Sequence, residues 1–209
     1  MTTELRVYLL VEDLQPQFAA YMSTPTRGVG YPPFTGENSL FIEVAPALAI
    51  HRVIDLALKV APDMEPGILF TERQFGLLEL HSPDKKLLEA AGSAILEGIA
   101  VKAEDQLAPA TLYIDLIENI ADQHAILLDR MRNASMVLPG DSLLVYEISP
   151  ALFATVAANE AEKAAPEITI VDIQMMGATG RVFLSGSTSS LGAARGRIRS
   201  TLDEIVGRK

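Results

Sequence analysis

The sequence predicts an α+β protein built twice from one fold. Three observations predict it: an ungapped internal repeat, the same order of strand and helix patterns in each copy, and a 49% apolar content sufficient for two cores. Setting Gly36–Gly92 on Gly140–Gly196, 104 residues on, aligns Gly36/Gly140, Leu40/Leu144, Glu43/Glu147, Pro46/Pro150, Ala47/Ala151 and Leu48/Leu152. Further matches are Ala57/Ala161, Lys59/Lys163, Ala61/Ala165, Pro62/Pro166, Gly76/Gly180, Leu80/Leu184, Leu87/Leu191, Ala90/Ala194 and Gly92/Gly196. Fifteen of 57 positions are identical, against roughly three or four expected from average composition. A repeat this long is a duplicated small domain, not a solenoid unit. The first copy is placed at residues 1–104 and the second at 105–209, joined near Ala103–Pro109, a polar, proline-containing stretch expected to be exposed.

In the first copy, Val7–Val11 is a short apolar run bounded by charge, the pattern of a buried strand. Leu14–Met22 is patterned as a brief helix. Thr24–Gly36 carries Pro25, Gly28, Gly30, Pro32, Pro33 and Gly36, so a loop is expected there. Leu40–Val44 reads as a strand, and Pro46 is placed in the first turn of a helix running to about Val60, where a missing N–H costs little. Gly67–Glu72 and Gly76–His81 form a strand pair around a tight turn, and Pro83–Ile99 has helical spacing of Leu87, Leu88, Ala91, Ile95 and Ile99.

The second copy repeats the order. Leu112–Glu118 is a strand, Asp122–Met131 a helix, Ser142–Ile148 a strand and Pro150–Ala164 a helix. Ile168–Gln174 and Arg181–Ser185 are strands, and Ser189–Ile205 a helix. Matching Leu14 with Ile120 and Gln17 with Gln123 needs an offset of 106, so length differences fall in loops. Each unit is β-α-β-α-β-β-α, helices packed on an antiparallel-rich sheet.

Charge narrows the partners. Seventeen Lys and Arg against 27 Asp and Glu leave a net charge of −10, opposite to what a phosphate backbone requires. With no cysteine there is no disulfide, thiolate metal site or thiol nucleophile. The N-terminal segment lacks a signal peptide's apolar stretch, and no segment has the length of a membrane span. A soluble cytosolic protein is expected.

No motif carries catalysis. Ser187–Ser190 is a polar helix start rather than a nucleophile elbow. Gly28-Val29-Gly30 lacks the third glycine of a dinucleotide loop, and Gly177-Ala178-Thr179-Gly180 precedes a strand, not a helix. His51, His81 and His124 stand at no metal-ligand spacing and read as surface or packed histidines. No metal and no cofactor is expected.

The segments APALAIHRVIDLALK (Ala45–Lys59) and AANEAEKA (Ala157–Ala164) resemble the shell proteins of bacterial microcompartments. The likeness is to the tandem-domain trimeric class, in its circularly permuted, double-stacking carboxysome-type group. ELRVY (Glu4–Tyr8), LQPQ (Leu14–Gln17), TERQFG (Thr71–Gly76), LPGDS (Leu138–Ser142) and GRVFLSG (Gly180–Gly186) support it in the right order. The resemblance implies two permuted, ferredoxin-like shell domains and a homotrimer of pseudo-sixfold symmetry, closed by rotation, two of which stack. Other shell proteins would be neighbours in the tile, and small metabolites would cross a central pore. The place would be a compartment shell in the bacterial cytoplasm.

The resemblance also assigns residues. Glu72 and Arg73 are carried over as the gate at the threefold axis, where a charge-assisted pair in one rotamer leaves the axis in another. Gln74 and Phe75 complete the segment, where the group usually has a small residue and a tyrosine. In the second copy Met176 and Gly177 take the equivalent places, and Met176 and Thr179 stand where phenylalanines are common. Lys59 and Lys163 are carried over as tile-edge residues, six around the trimer rim, with Asp55 and Asn159 framing the same edge. Without the resemblance, Glu72 and Arg73 are an exposed pair beside a turn, and each lysine a solvated cation near its own helix C-terminus. Tyr31 and Phe34 either help two trimers stack or cover their own domain's core. The competing reading is a trimeric ligand-sensing regulatory protein with ferredoxin-like domains; for an enzyme no candidate residues exist.

Overall fold

The computed structural model describes residues 2–24 and 30–209; the predicted loop positions Pro25 and Gly28 lie outside the described residues. In the first copy, strands β1 (Glu4–Val11), β2 (Asn38–Ala45), β3 (Glu65–Thr71) and β4 (Gly76–Ser82) form an antiparallel sheet in the order β1-β2-β4-β3. Leu40, Ile42 and Val44 of β2 and Leu78 and Leu80 of β4 face one side, as the strand period of two dictates. Helices α2 (Ile50–Val60) and α3 (Lys85–Gly98) cover that side with Val53, Ala57, Leu88, Ala91 and Ile95. Asp84 caps α3, its carboxylate accepting from Lys86 N at 2.9 Å. Helix α1 (Pro16–Met22) lies on the opposite side, its Phe18 ring centroid 6.3 Å from that of Phe41.

The second copy repeats this with β5 (Ala110–Ile117), β6 (Ser142–Ser149), β7 (Thr169–Gln174) and β8 (Gly180–Gly186) in the order β5-β6-β8-β7. Helices α5 (Ala154–Ala164) and α6 (Thr188–Glu204) pair with one another, and α4 (Asp122–Met131) corresponds to α1. The copies differ on the α1/α4 side of the sheet. Val7, Leu9 and Val11 of β1 are buried, whereas no residue of β5 is. Helix α1 buries four side chains and α4 only Ala125. A small cluster of Ile120, Ala125, Val137, Leu143 and Val171 fills that side of the second sheet.

Two of the repeat's identities have a geometric cause. Gly36 and Gly140 adopt φ of +85° and +88°, the left-handed region glycine enters freely. Each ends a loop tied back to its first helix's entry, Gly36 N to Leu14 O at 2.9 Å and Gly140 N to Ile120 O at 3.1 Å. At Gly76 and Gly180 a Cβ would lie 2.3 Å from Ala47 O and 2.1 Å from Ala151 O, so the first residue of β4 and of β8 passes directly under the turn before the helix.

That turn corrects one expectation. Pro46 and Pro150 do not begin helices: each follows a cis peptide at the end of β2 or β6 and precedes a 3-10 turn, Ala47–Ala49 or Ala151–Phe153. The α-helices start at Ile50 and Ala154. Lacking an N–H, each proline sits where the ladder has ended, and its carbonyl accepts the bond that closes the turn, Ala49 N at 2.9 Å or Phe153 N at 3.3 Å.

The chain divides into one unit reaching Ala108 together with Val206–Lys209, and another of Pro109–Ile205. The junction therefore lies four residues beyond the expected 104/105 boundary, and the last four residues return to the first unit. Gln106, in the stretch expected to be exposed, is buried; its side chain accepts from Tyr8 N at 2.9 Å and donates to Val206 O at 3.1 Å. Arg208 N donates to Gln106 O at 2.7 Å and Ala108 N to Arg208 O at 2.8 Å.

Candidate functional site

The β3–β4 hairpin presents the segment singled out as a gate. Glu72 N donates to Phe75 O at 2.8 Å, closing a turn whose tip, Arg73 and Gln74, is exposed. The Glu72 carboxylate accepts from the Arg73 backbone N–H, so the expected bond between the two side chains is replaced by one to the backbone. A carboxylate that can satisfy its neighbour's amide locally leaves the guanidinium to solvent.

Phe75 is held from below. Arg6, at the bulge of β1 between Leu5 and Val7, places its guanidinium carbon 3.7 Å from the Phe75 ring centroid. Its Nε donates to Glu43 Oε1 at 2.7 Å, and Glu43 is fully buried. Burial pushes the Glu43 carboxyl above its ordinary value, with the Arg6 bond and charge pulling the other way. Neither Arg6 nor Glu43 was a predicted site residue; the identity Glu43/Glu147, a carboxylate kept at the same strand position in both copies, was the available signal.

The second copy keeps the carboxylate and changes its partners. Glu147 accepts directly from Thr179 Oγ1 at 2.8 Å and from Arg181 Nε at 3.1 Å. The Thr179 bond, with Arg181 behind it, holds its carboxyl below the ordinary value. Thr179 replaces Phe75, exposed Leu112 replaces Arg6 at the β5 bulge, and Gly177, at φ +115°, replaces Arg73.

A second polar group lies beneath Gly30 and Tyr31. Ser39 Oγ donates to Glu79 Oε1 at 2.6 Å, His81 Nδ1 lies 3.3 Å from Glu79 Oε2, and His81 Nε2 lies 4.0 Å from Glu65 Oε2. Burial lowers the proton affinity of His81, but the bond to Glu79 and the charges of Glu79, Glu37 and Glu65 outweigh it, so its pKa lies above the ordinary value. Above this group Gly30 N donates to Gly67 O at 2.7 Å and Tyr31 N to Pro66 O at 3.0 Å, pinning these two residues to β3. Tyr31 and Phe34 are 57% and 68% exposed, so neither covers its own domain's core.

The matched lysines stand in unlike surroundings. Lys59 pairs with Asp55 at 2.5 Å, and both side chains are more than half exposed. Lys163 is 25% exposed and 2.9 Å from Glu160, which also takes Arg197. Asn159 is fully buried, and α5 is buried on all its faces. Burial opposes ionisation of Glu160, yet Lys163 and Arg197 hold its carboxyl below the ordinary value. Among the described residues no group of three or more His, Asp or Glu is placed to hold a metal ion, and no helix is long and apolar enough to cross a membrane.

Comparison with known proteins gives the family and the fold. The model of the CsoS1D N-terminal domain matches residues 5–105. The chain is 37% identical to the carboxysome shell protein CcmP of Synechococcus elongatus over 100% of its own length and 96% of that protein's. A double-ringed trimeric shell protein from the RMM microcompartment superposes with a TM-score of 0.94 at 57% identity, covering 99% of this chain and 98% of that one. A fused permuted hexameric shell protein from the same microcompartment gives 0.93 at 42%, covering 99% and 100%.

Proposed function

From the premise that the chain belongs to the CcmP and CsoS1D family of trimeric microcompartment shell proteins, whose members are structural tiles, we propose that its trimer carries a gated pore. The tile lies in a compartment shell in the bacterial cytoplasm and performs no catalytic step. Glu72, Arg73, Gln74 and Phe75 form the gate, three copies converging at the threefold axis. The observation that carries this reading is the asymmetry of the hairpin tips. Only the first copy's tip has charged side chains, and its Arg73 guanidinium is unencumbered at the surface. A pore lined by three first copies therefore gains a ring of cations and anions that the second copies, with Met176 and Gly177, cannot supply. Small polar metabolites are the cargo such a ring suits.

Lys59 and Asp55 serve the tile edge, where an exposed lysine stem lies across a neighbouring tile. Lys163 and Asn159, covered in the single chain, support the second copy's helix and contribute less to that edge. Two trimers stack face to face, as the name of the 57%-identical double-ringed relative supports. Tyr31 and Phe34 are exposed apolar side chains available to that contact. The ligand-sensor alternative is not favoured, since it accounts for neither the tandem repeat nor the family.

The test is native mass spectrometry of the full chain followed by electron microscopy of the same sample. Masses of three and six chains with flat hexagonal outlines are expected, and a central opening whose size differs between particles. Trimers with an axis of one fixed size, unchanged in Glu72→Gln and Arg73→Ala, would refute the gate while leaving the tile.

A further inference from the structure

The contact beneath Phe75 belongs to no assigned function, and its chemistry suits a moving part. Arg6 touches two things. Its Nε is bonded to the buried Glu43, and its guanidinium face lies under the Phe75 ring. The first contact is directional and lies in the sheet. The second is stacking at the base of an exposed turn.

The second copy shows what a fixed tip looks like. There Thr179, at the position of Phe75, bonds Glu147 directly. Pulling that tip away would break a direct hydrogen bond and hand both groups to water. In the first copy the Arg6 Nε bond to Glu43 Oε1 is kept whether or not Phe75 lies on the guanidinium. Phe75 can leave the guanidinium without orphaning any hydrogen-bonding group, because an aromatic ring offers none. Release is therefore mild and reversible, as a two-state element requires.

We infer that Arg6 is a positioning residue for the gate: anchored by Glu43, it latches Phe75 and holds the Glu72–Phe75 turn in the state seen here, and the pore's other state has Phe75 off the guanidinium. The inference rests on the gated-pore reading. The hairpin tip is the moving part, β1 and β2 the fixed one, and the copy that gates is the one whose tip is stacked rather than bonded.

The experiment is single-particle cryo-electron microscopy of the full-length trimer, classifying the β3–β4 tip in each protomer. Phe75→Leu removes the ring and leaves the Arg6–Glu43 pair intact, so a folding defect is not expected. It should shift the ratio of the two tip states away from the latched one by about tenfold, the population equivalent of a partly buried cation–π contact. Phe75→Tyr, which keeps the ring, should restore the wild-type ratio. The double variant Arg6→Met/Glu43→Met, which removes the cation without stranding a buried carboxylate, should give the same shift with Phe75 present. A wild-type ratio in both Phe75→Leu and the double variant overturns the latch while leaving the gate. One tip state in every protein, wild type included, overturns the gate reading and the latch with it.

Discussion

The two hairpin tips occupy the same place in the same fold, above the same carboxylate, and are held by opposite kinds of interaction. Glu147 grips its tip through a hydroxyl; Glu43 reaches its tip only through Arg6 and the face of Phe75. One copy has a bonded, uncharged tip and the other a charged tip stacked on Arg6. Within the single chain, α2 keeps an exposed face with the Asp55–Lys59 pair, while α5 is covered on all its faces. Identity at an aligned position thus records a shared fold role, and its surroundings decide the function.

The comparison breaks most sharply where the copies should be alike. Gly76→Val and Gly180→Val each drive a side chain into the carbonyl of the turn before the helix. Each should cost about 3 kcal/mol or more, and urea denaturation of the two variants should give similar losses. A large difference would mean that the turns are not equivalent.

Next is the carboxylate's partner. Arg6→Leu strands Glu43 in a buried site and should cost about 3 kcal/mol. Arg181→Leu should cost clearly less, because Glu147 keeps Thr179 and is open to water. Thermal melts of the two variants check the ordering.

His81 sharpens the comparison through pH, since Ser185 at the equivalent place does not titrate. Glu79 on its own strand, Glu65 on β3 and Glu37 before β2 face it. The folded-state pKa is raised, so this contribution to stability is full below the unfolded value of about 6.5 and is lost as pH rises through the folded value. Melting temperature should fall across that window in the wild type and be flatter in His81→Gln. A His81→Gln profile parallel to wild type would remove His81 as the cause.

Lysine substitutions should separate edge from core. Lys163→Ala should lower stability by about 1 kcal/mol by taking one of two cations from the nearly buried Glu160. Lys59→Ala should change stability by less than about 0.5 kcal/mol yet abolish sheets in electron micrographs. The smallest stability effect is expected from Tyr31→Ser/Phe34→Ser, which should leave melting unchanged and convert six-chain masses to three-chain masses.

Much of this was legible along the chain. Glycines at +85° and +88°, prolines at the strand ends and alternating apolar residues repeat in the sequence because each answers a local or short-range constraint. The helix and strand order, the tight turn at residues 72–75 and the tandem division follow from periodicity and punctuation alone.

The helix starts were misplaced at Pro46 and Pro150 because a proline that ends a ladder and one that opens a helix look alike in sequence. Only the packing of Gly76 and Gly180 under the turns decides between them. The return of Val206–Lys209 to the first unit was likewise invisible, since it depends on Gln106 finding partners about a hundred residues away on both sides.

The sequence by itself determined that the protein is one α+β domain written twice, which segment breaks the symmetry, and which family of shell tiles it joins. The tertiary structure alone decided what each matched residue touches. It put Arg6 between Glu43 and Phe75, gave Glu147 a hydroxyl instead, left Lys59 open and covered Lys163. The physical reason is range: backbone preference and periodicity act within a few residues, whereas the partner of a buried charge is chosen by strands that meet only after the chain has folded.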